Sequence, residues 1–298
     1  MGNILSGLRA NSSLKRAKAL TVIVLAYILA YLAGIAAACL FSSANVIIRV
    51  LVFDIVATVV IFACSVLKDN SSVYDPYWSV TPVIVALWLF IQAGALSVMH
   101  ILFLAAFCLW GVRLTANWCT VFTGFGYEDW RYAMLRKKSG GRISWFIVNL
   151  FGIHIVPTLC VFAAMLPVFA IAECRLSYWS IFGILIMLGG TALEFFADRQ
   201  MHEFLGDTAA YEEKTTCRYG LWNYSRHPNY LGENLFWFGV FVTMLLSDSS
   251  HWLYGIGFVI IRILFEAVSI PMAERHNMER REDYAGYRCC TSRFWLLP

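Results

Sequence analysis

Residues 80–115 read VTPVIVALWLFIQAGALSVMHILFLAAFCLWGVRLT, and how this run divides decides the architecture. A bilayer core takes about 20 apolar residues as a helix, so the run is too long for one crossing. Its middle, Gly94-Ala95-Leu96-Ser97, carries turn-forming residues, and two spans are expected there, the first of them short. Upstream, Leu20–Phe41 and Val46–Leu67 read as two spans joined by the short turn Ser42–Asn45, an antiparallel hairpin. Downstream, a fifth span covers about Ile143–Ile171, with Pro157 and Pro167 expected to bend it. A sixth covers Leu176–Ala197, and spans seven and eight fill Leu231–Leu246 and Trp252–Pro271.

Composition agrees with this reading. Hydrophobic residues make up 60% of the 298 residues and charged residues 14%, against roughly 25% charged in a soluble domain. The expected fold class is all-α, a polytopic membrane helix bundle of seven or eight transmembrane helices. Charge placement fixes its expected orientation. With eight spans, every Lys and Arg except Arg49, Arg113, Arg175 and Arg262 falls in the N-terminal tail, the connectors 68–79, 116–142 and 198–230, or the C-terminal tail. That bias puts both termini in the cytoplasm. Treating Val80–Thr115 as one bent element would invert the ends and spoil the agreement. The expected layout is a cytoplasmic tail 1–19, a transmembrane bundle 20–271 and a cytoplasmic tail 272–298.

The nine cysteines form no C-x-x-C pair and no zinc-like spacing with histidine, so neither a disulfide framework nor a metal site is expected. Met1-Gly2-Asn3-Ile4-Leu5-Ser6 fits an N-myristoylation signal at Gly2. Sequons at Asn11, Asn70 and Asn223 fall on the cytoplasmic side and are expected to stay unmodified. No nucleic-acid partner is expected; membrane lipids are.

Chemistry concentrates in Ser225-Arg226-His227-Pro228-Asn229-Tyr230-Leu231-Gly232-Glu233-Asn234, a polar decapeptide at the start of an apolar run. Polar groups at a membrane boundary carry a free-energy cost, which points to a ligand; a capped helix start with interfacial Tyr and Arg is the plainer alternative. Pro228 suits a first helical turn. Asn229 and Glu233 then share one face, and Gly232 admits another backbone or a flat ring. Arg226 and His227 precede the helix, where positive charge and free N–H groups favour a phosphate. Glu194 and Asp198, spaced i,i+4, are like charges that cannot neutralise one another; they call for a proton, the interface, a cation or a hydroxyl-rich ligand. Arg199 adjoins them. Arg262 and Glu266, also i,i+4, can pair with each other. The basic tail with Tyr284 and Tyr287 either lies on anionic lipid or completes a phosphate site.

Together with Tyr74-Asp75-Pro76-Tyr77-Trp78-Ser79, Glu128-Asp129-Trp130-Arg131-Tyr132, Asp198-Arg199-Gln200, Gly220-Leu221-Trp222 and Thr291-Ser292-Arg293-Phe294, the decapeptide makes the chain resemble the steroid 5α-reductase-like superfamily of membrane enzymes. The likeness covers about three quarters of the chain and is closest to the branch that carries S-R-H-P-N-Y-x-G-E. The resemblance implies an NADPH-dependent reductase of an activated C=C bond in a lipid or steroid-like substrate, in the endoplasmic reticulum, with a cofactor half at about 190–298. It implies that Asn229, Tyr230 and Glu233 contact the nicotinamide half, that Asp198, Arg199, Tyr224, Arg226 and His227 lie along the nucleotide, and that Glu274 and Tyr284 cover it. It also puts Asp75 near a substrate-polarising acid and Trp110 at a position where those enzymes carry a proton-donating Tyr. Tryptophan cannot take that role, which leaves Tyr77 as the candidate acid.

Two rivals stay open. Isoprenylcysteine carboxyl methyltransferases look similar around Arg-His-Pro-x-Tyr-x-Gly and would imply S-adenosylmethionine, although the Glu-Glu pair and Phe-Gly of their tail have no counterpart here. A non-catalytic lipid-binding protein of the same fold would account for Trp110.

Overall fold

The computed structural model describes residues 2–206 and 215–296, with side chains from Ser13 onward. Among them every regular element is helical. Seven stretches are long and apolar enough to cross a membrane: Ser13–Leu40, Val46–Lys68, Ser71–Ala93, Val98–Val121, Arg142–Glu173, Tyr178–Leu205 and Ser249–Arg280. The protein is an all-α polytopic membrane protein. It forms two compact units, each built from two pieces of chain: Met1–Val85 with Leu114–Phe162, and Ala86–Arg113 with Ala163–Pro298.

Local chemistry explains most helix ends. α1 (Gly2–Leu40) and α2 (Val46–Lys68) form the expected hairpin, and Asn45 caps α2 by accepting the Ile48 N–H at 2.9 Å. Gly2 opens α1 ahead of the described side chains, so its expected acylation lies outside them. α3 (Tyr77–Ala93) and α4 (Val98–Val121) part where the sequence divides them. Gly94 takes φ 63°, a conformation open to glycine, and the Ala95 N–H bonds back to Phe90 at 3.0 Å. The fifth span is bent twice, also as expected. Pro157 has no N–H to continue the ladder, and the turn before it, Val148–Ile155, widens to a π-helix. Pro167 begins a new segment, so the span reads α6 (Arg142–Ile147), the π turn, α7 (Val156–Ala164) and α8 (Leu166–Glu173).

Four elements differ from expectation. The connector 68–79 is a folded, buried segment, with Asn70, Ser71, Ser72, Tyr74 and Tyr77 shielded from solvent. Its polar groups are satisfied from far along the chain. Asn70 Nδ2 donates to the carbonyls of Phe125 and Tyr127, the Ser71 N–H to Glu128, and Ser72 Oγ accepts the Asp129 N–H at 2.9 Å. The loop 116–142 contains a short helix, α5 (Trp130–Lys138), capped by Asp129. The sixth span continues as α9 (Ile181–Leu205), which carries Asp198 and Arg199 on a helix instead of a loop. The last span also continues, through α11 (Ile256–Leu264), a π turn and α12 (Ile270–Arg280), so the tail expected from 272 begins helical. α10 (Pro228–Leu245) is not one of the seven stretches, since its first two turns are polar. α13 (Tyr284–Cys290) closes the described helices.

In the second unit α9 and α10 touch backbone to backbone. A Cβ at Gly232 would sit 2.5 Å from Glu194 Cγ and 2.6 Å from the Gly190 carbonyl oxygen, and one at Gly190 would sit 2.7 Å from the Phe236 nitrogen. Lipid offers no hydrophobic drive for helix association, so close packing of small residues and buried hydrogen bonds must supply it. Gly232 therefore admits a neighbouring backbone, one of the two uses its position suggests. Beside this crossing the indole of Trp110 stacks on Phe236 at 4.4 Å and meets Trp237 edge-on at 5.2 Å.

Candidate functional site

The close approach of α9 and α10 places two i,i+4 pairs face to face. Glu194 and Asp198 come from one helix, Asn229 and Glu233 from the other. The cation between them is Arg113 of α4, which donates to Glu194 at 2.6 Å and also to Asp198. Asn229 Nδ2 donates to Asp198 at 3.3 Å, and its Oδ1 accepts the Tyr230 N–H. Glu233 is buried and takes an indole N–H on each oxygen, from Trp110 at 2.9 Å and from Trp237 at 2.8 Å.

In the structure each oxygen of Glu233 accepts an indole N–H from a tryptophan of its own unit. Asn229 is likewise turned to Asp198. Tyr230 stacks on His227 at 5.4 Å with near-parallel rings and leans on Phe265. Arg199, expected beside Asp198 at a ligand, points to the outside and pairs with the exposed Glu203. Tyr224 is 47% exposed and joins no cluster. The sequence marked Trp110 for another role and gave Arg113 and Trp237 none; the signal for Arg113 was that it is one of four basic residues outside the expected cytoplasmic tails and connectors and lies one turn from Trp110.

A second cluster forms where the C-terminal segment folds back on the decapeptide. Arg226 N–H donates to the Ser292 carbonyl at 2.9 Å, Ser225 Oγ to Phe294, and Tyr287 Oη to the Trp222 carbonyl at 2.5 Å. The tail thus covers the segment before α10. Inside this fold-back, Arg226, His227 and Glu274 are each more than 90% buried. Arg226 Nη1 lies 3.1 Å and His227 Nε2 3.5 Å from Glu274 Oε1, at ion-pair distance but not aligned for hydrogen bonding. Arg226 Nε and Nη1, His227 Nε2, Tyr284 Oη and the acceptor Glu274 Oε1 make no well-aligned hydrogen bond among the described residues, although His227 and Tyr284 lie close to Glu274 and Asn277. Burial holds the His227 imidazole below its usual range, with Glu274 pulling the other way, and it raises the Tyr284 phenol. Arg288 approaches Glu274 at 3.6 Å, and Arg293 joins Glu266 at 3.1 Å alongside the expected Arg262–Glu266 pair at 2.5 Å. Four donors without a well-aligned partner, set against the one carboxylate of Glu274, fit an anionic group with several acceptor oxygens.

The two proposed acids lie in the first unit, and they do not act on each other. Asp75 accepts the phenol O–H of Tyr132 at 2.5 Å. Tyr77 instead donates to Asp54 of α2 at 2.8 Å. Each candidate is one half of a phenol–carboxyl pair. The shared signal was the alternation of aromatic and acidic residues in 74–79 and 128–132. No spacing rule brings those two stretches together.

The arrangement defines a class: a helical membrane protein with ionisable groups buried in its spans and an unfilled set of donors beneath its C-terminal tail. The profile of the family described as a protein of unknown function (DUF1295) matches residues 61–293. The chain belongs to that family, which is the steroid 5α-reductase-like group. It is also similar to the uncharacterized protein C594.04c of Schizosaccharomyces pombe, 25% identical over 270 residues that cover 79% of this chain and 75% of that one. No solved structure matches the chain at a significant level.

Proposed function

We propose that the protein is a membrane-embedded, NADPH-dependent reductase of an activated C=C bond in a lipid or steroid-like substrate, acting in the endoplasmic reticulum. The observation that carries the reading is the buried donor set of Arg226, His227 and Tyr284, held under the tail of a chain from the steroid 5α-reductase-like group. Arg226 would grip a phosphate through Nε and Nη1, with Arg288 adding charge at the rim. His227, neutral by burial, would donate from one ring nitrogen, and the Tyr284 phenol would donate beside it. Both precede or cover the start of α10, where free helical N–H groups reinforce an anion. Bound NADPH would supply a hydride to the β-carbon of an enone, whose α-carbon then takes a proton.

One observation favours the methyltransferase reading. Glu274 stands among these cations, and S-adenosylmethionine, unlike NADPH, brings positive charge of its own. Titration of the purified protein with each ligand separates the two. The reductase reading expects saturable energy transfer from tryptophan to the nicotinamide, weakened about tenfold or more by Arg226→Ala. A rise in thermal midpoint with S-adenosylmethionine and none with NADPH would support methyl transfer. Binding of neither would leave a lipid-binding protein without turnover.

A further inference from the structure

Asn234 closes the decapeptide, in the second turn of α10, and it is 4% exposed. Its Nδ2 donates to the Tyr230 carbonyl at 2.8 Å. A carbonyl only accepts, so that contact orients the amide: the nitrogen faces Tyr230 and the oxygen faces away. Asn234 Oδ1 finds no N–H or O–H donor among the described residues. A buried acceptor without a donor costs free energy in the empty protein, and it fits a donor brought by a ligand.

Helix period says where that donor would stand. Asn234 follows Tyr230 by four residues and His227 by seven, so it shares the face on which those two rings stack. Asn229 and Glu233 lie on another face, engaged with Asp198, Trp110 and Trp237. One face of α10 therefore has the Arg226, His227 and Tyr284 donors at its foot and a bare carbonyl oxygen two turns further on. Seven helical residues rise about 10 Å. A ligand that spans this distance carries an anionic group at one end and a hydrogen-bond donor at the other. NADPH does so through a phosphate, a ribose and the carboxamide of its nicotinamide. We propose that Asn234 is a specificity-determining residue of the cofactor site, whose Oδ1 accepts an N–H of the nicotinamide carboxamide while a phosphate lies on Arg226. The assignment rests on the NADPH reading and adds a residue that the resemblance does not place at the ring.

Calorimetric titration of the purified protein with three probes tests it. The wild type should bind NADPH about tenfold more tightly than the reduced 3-acetylpyridine analogue, in which a methyl group replaces the carboxamide nitrogen. Asn234→Leu should bind those two alike. It should bind 2′-phospho-ADP-ribose, which keeps the phosphates and lacks the ring, as the wild type does. Without ligand, Asn234→Leu should melt no lower than the wild type, because it removes an acceptor that has no donor. A structural role would instead lower the midpoint and leave the discrimination intact. Equal binding of NADPH and the analogue by the wild type, or a preference that survives in Asn234→Leu, would overturn the role of Asn234 and leave the cofactor standing. A wild type that binds none of the three would overturn both.

Discussion

Trp110 stands where the resemblance calls for a proton-donating phenol, and the structure gives the tryptophan a different task. Its indole N–H completes the coordination of a buried carboxylate, and its ring packs on Phe236. Trp110→Phe keeps most of that packing and removes the donor. Leaving one oxygen of Glu233 unsatisfied should lower stability by about 1–3 kcal/mol. Thermal denaturation of the purified protein checks this, and an unchanged midpoint would mean that the bond contributes nothing. His227 makes a prediction of the opposite kind, in pH. Burial lowers its folded-state pKa, so just below the ordinary value near 6.5 the unfolded chain binds the proton and the folded chain does not. Its contribution to stability is full above that value and is lost as pH falls through the window beneath it. The melting midpoint should drop on acidification below about pH 6.5, and His227→Gln should flatten that slope. A slope equal in both proteins would place the titration elsewhere.

Among the elements, the crossing of α9 and α10 is the most demanding piece of packing. Gly232→Ala adds one methyl against Glu194 and the Gly190 carbonyl, where neither side can yield without moving backbone. The substitution should destabilise by about 1–3 kcal/mol, read from the same melts; a neutral result would show that the helices can part. Boundaries set by local chemistry were legible in the sequence. Gly94 divides α3 from α4, Pro157 is preceded by a π turn in place of a regular one, Pro167 starts α8, and Pro228 starts α10. What could not be read was the fate of polar segments whose partners are distant. Asn70 and Ser72 look like loop residues until the stretch 125–129, more than fifty positions on, supplies their hydrogen bonds. The same limit governs the site. The i,i+4 pairs Glu194/Asp198, Asn229/Glu233 and Arg262/Glu266 follow from helix period alone. That Arg113 pairs with both Glu194 and Asp198, that Asn229 reaches Asp198, and that Trp110 and Trp237 occupy Glu233, depends on tertiary packing that no period encodes.

At the scale of the molecule, hydropathy and the family profile agree on a membrane-embedded helical protein of the steroid 5α-reductase-like group. α10 is the element that falls short of a full apolar span, and the reason is its polar opening. Its opening turns carry Pro228, Asn229, Tyr230, Glu233 and Asn234 in place of lipid-compatible residues. The polar groups have sorted into two sets. One, around Arg113, is held by ion pairs and hydrogen bonds among its own members. The other, around Arg226, His227 and Tyr284, has donors to spare, and the account stands on that difference. A structure of the protein in lipid nanodiscs with saturating NADPH measures it most directly. The account predicts cofactor phosphate oxygens within hydrogen-bond distance of Arg226 and Tyr284, with Glu233 still held by Trp110 and Trp237. Cofactor bound away from Arg226, or a tail cluster closed on itself with no cofactor present, would contradict it.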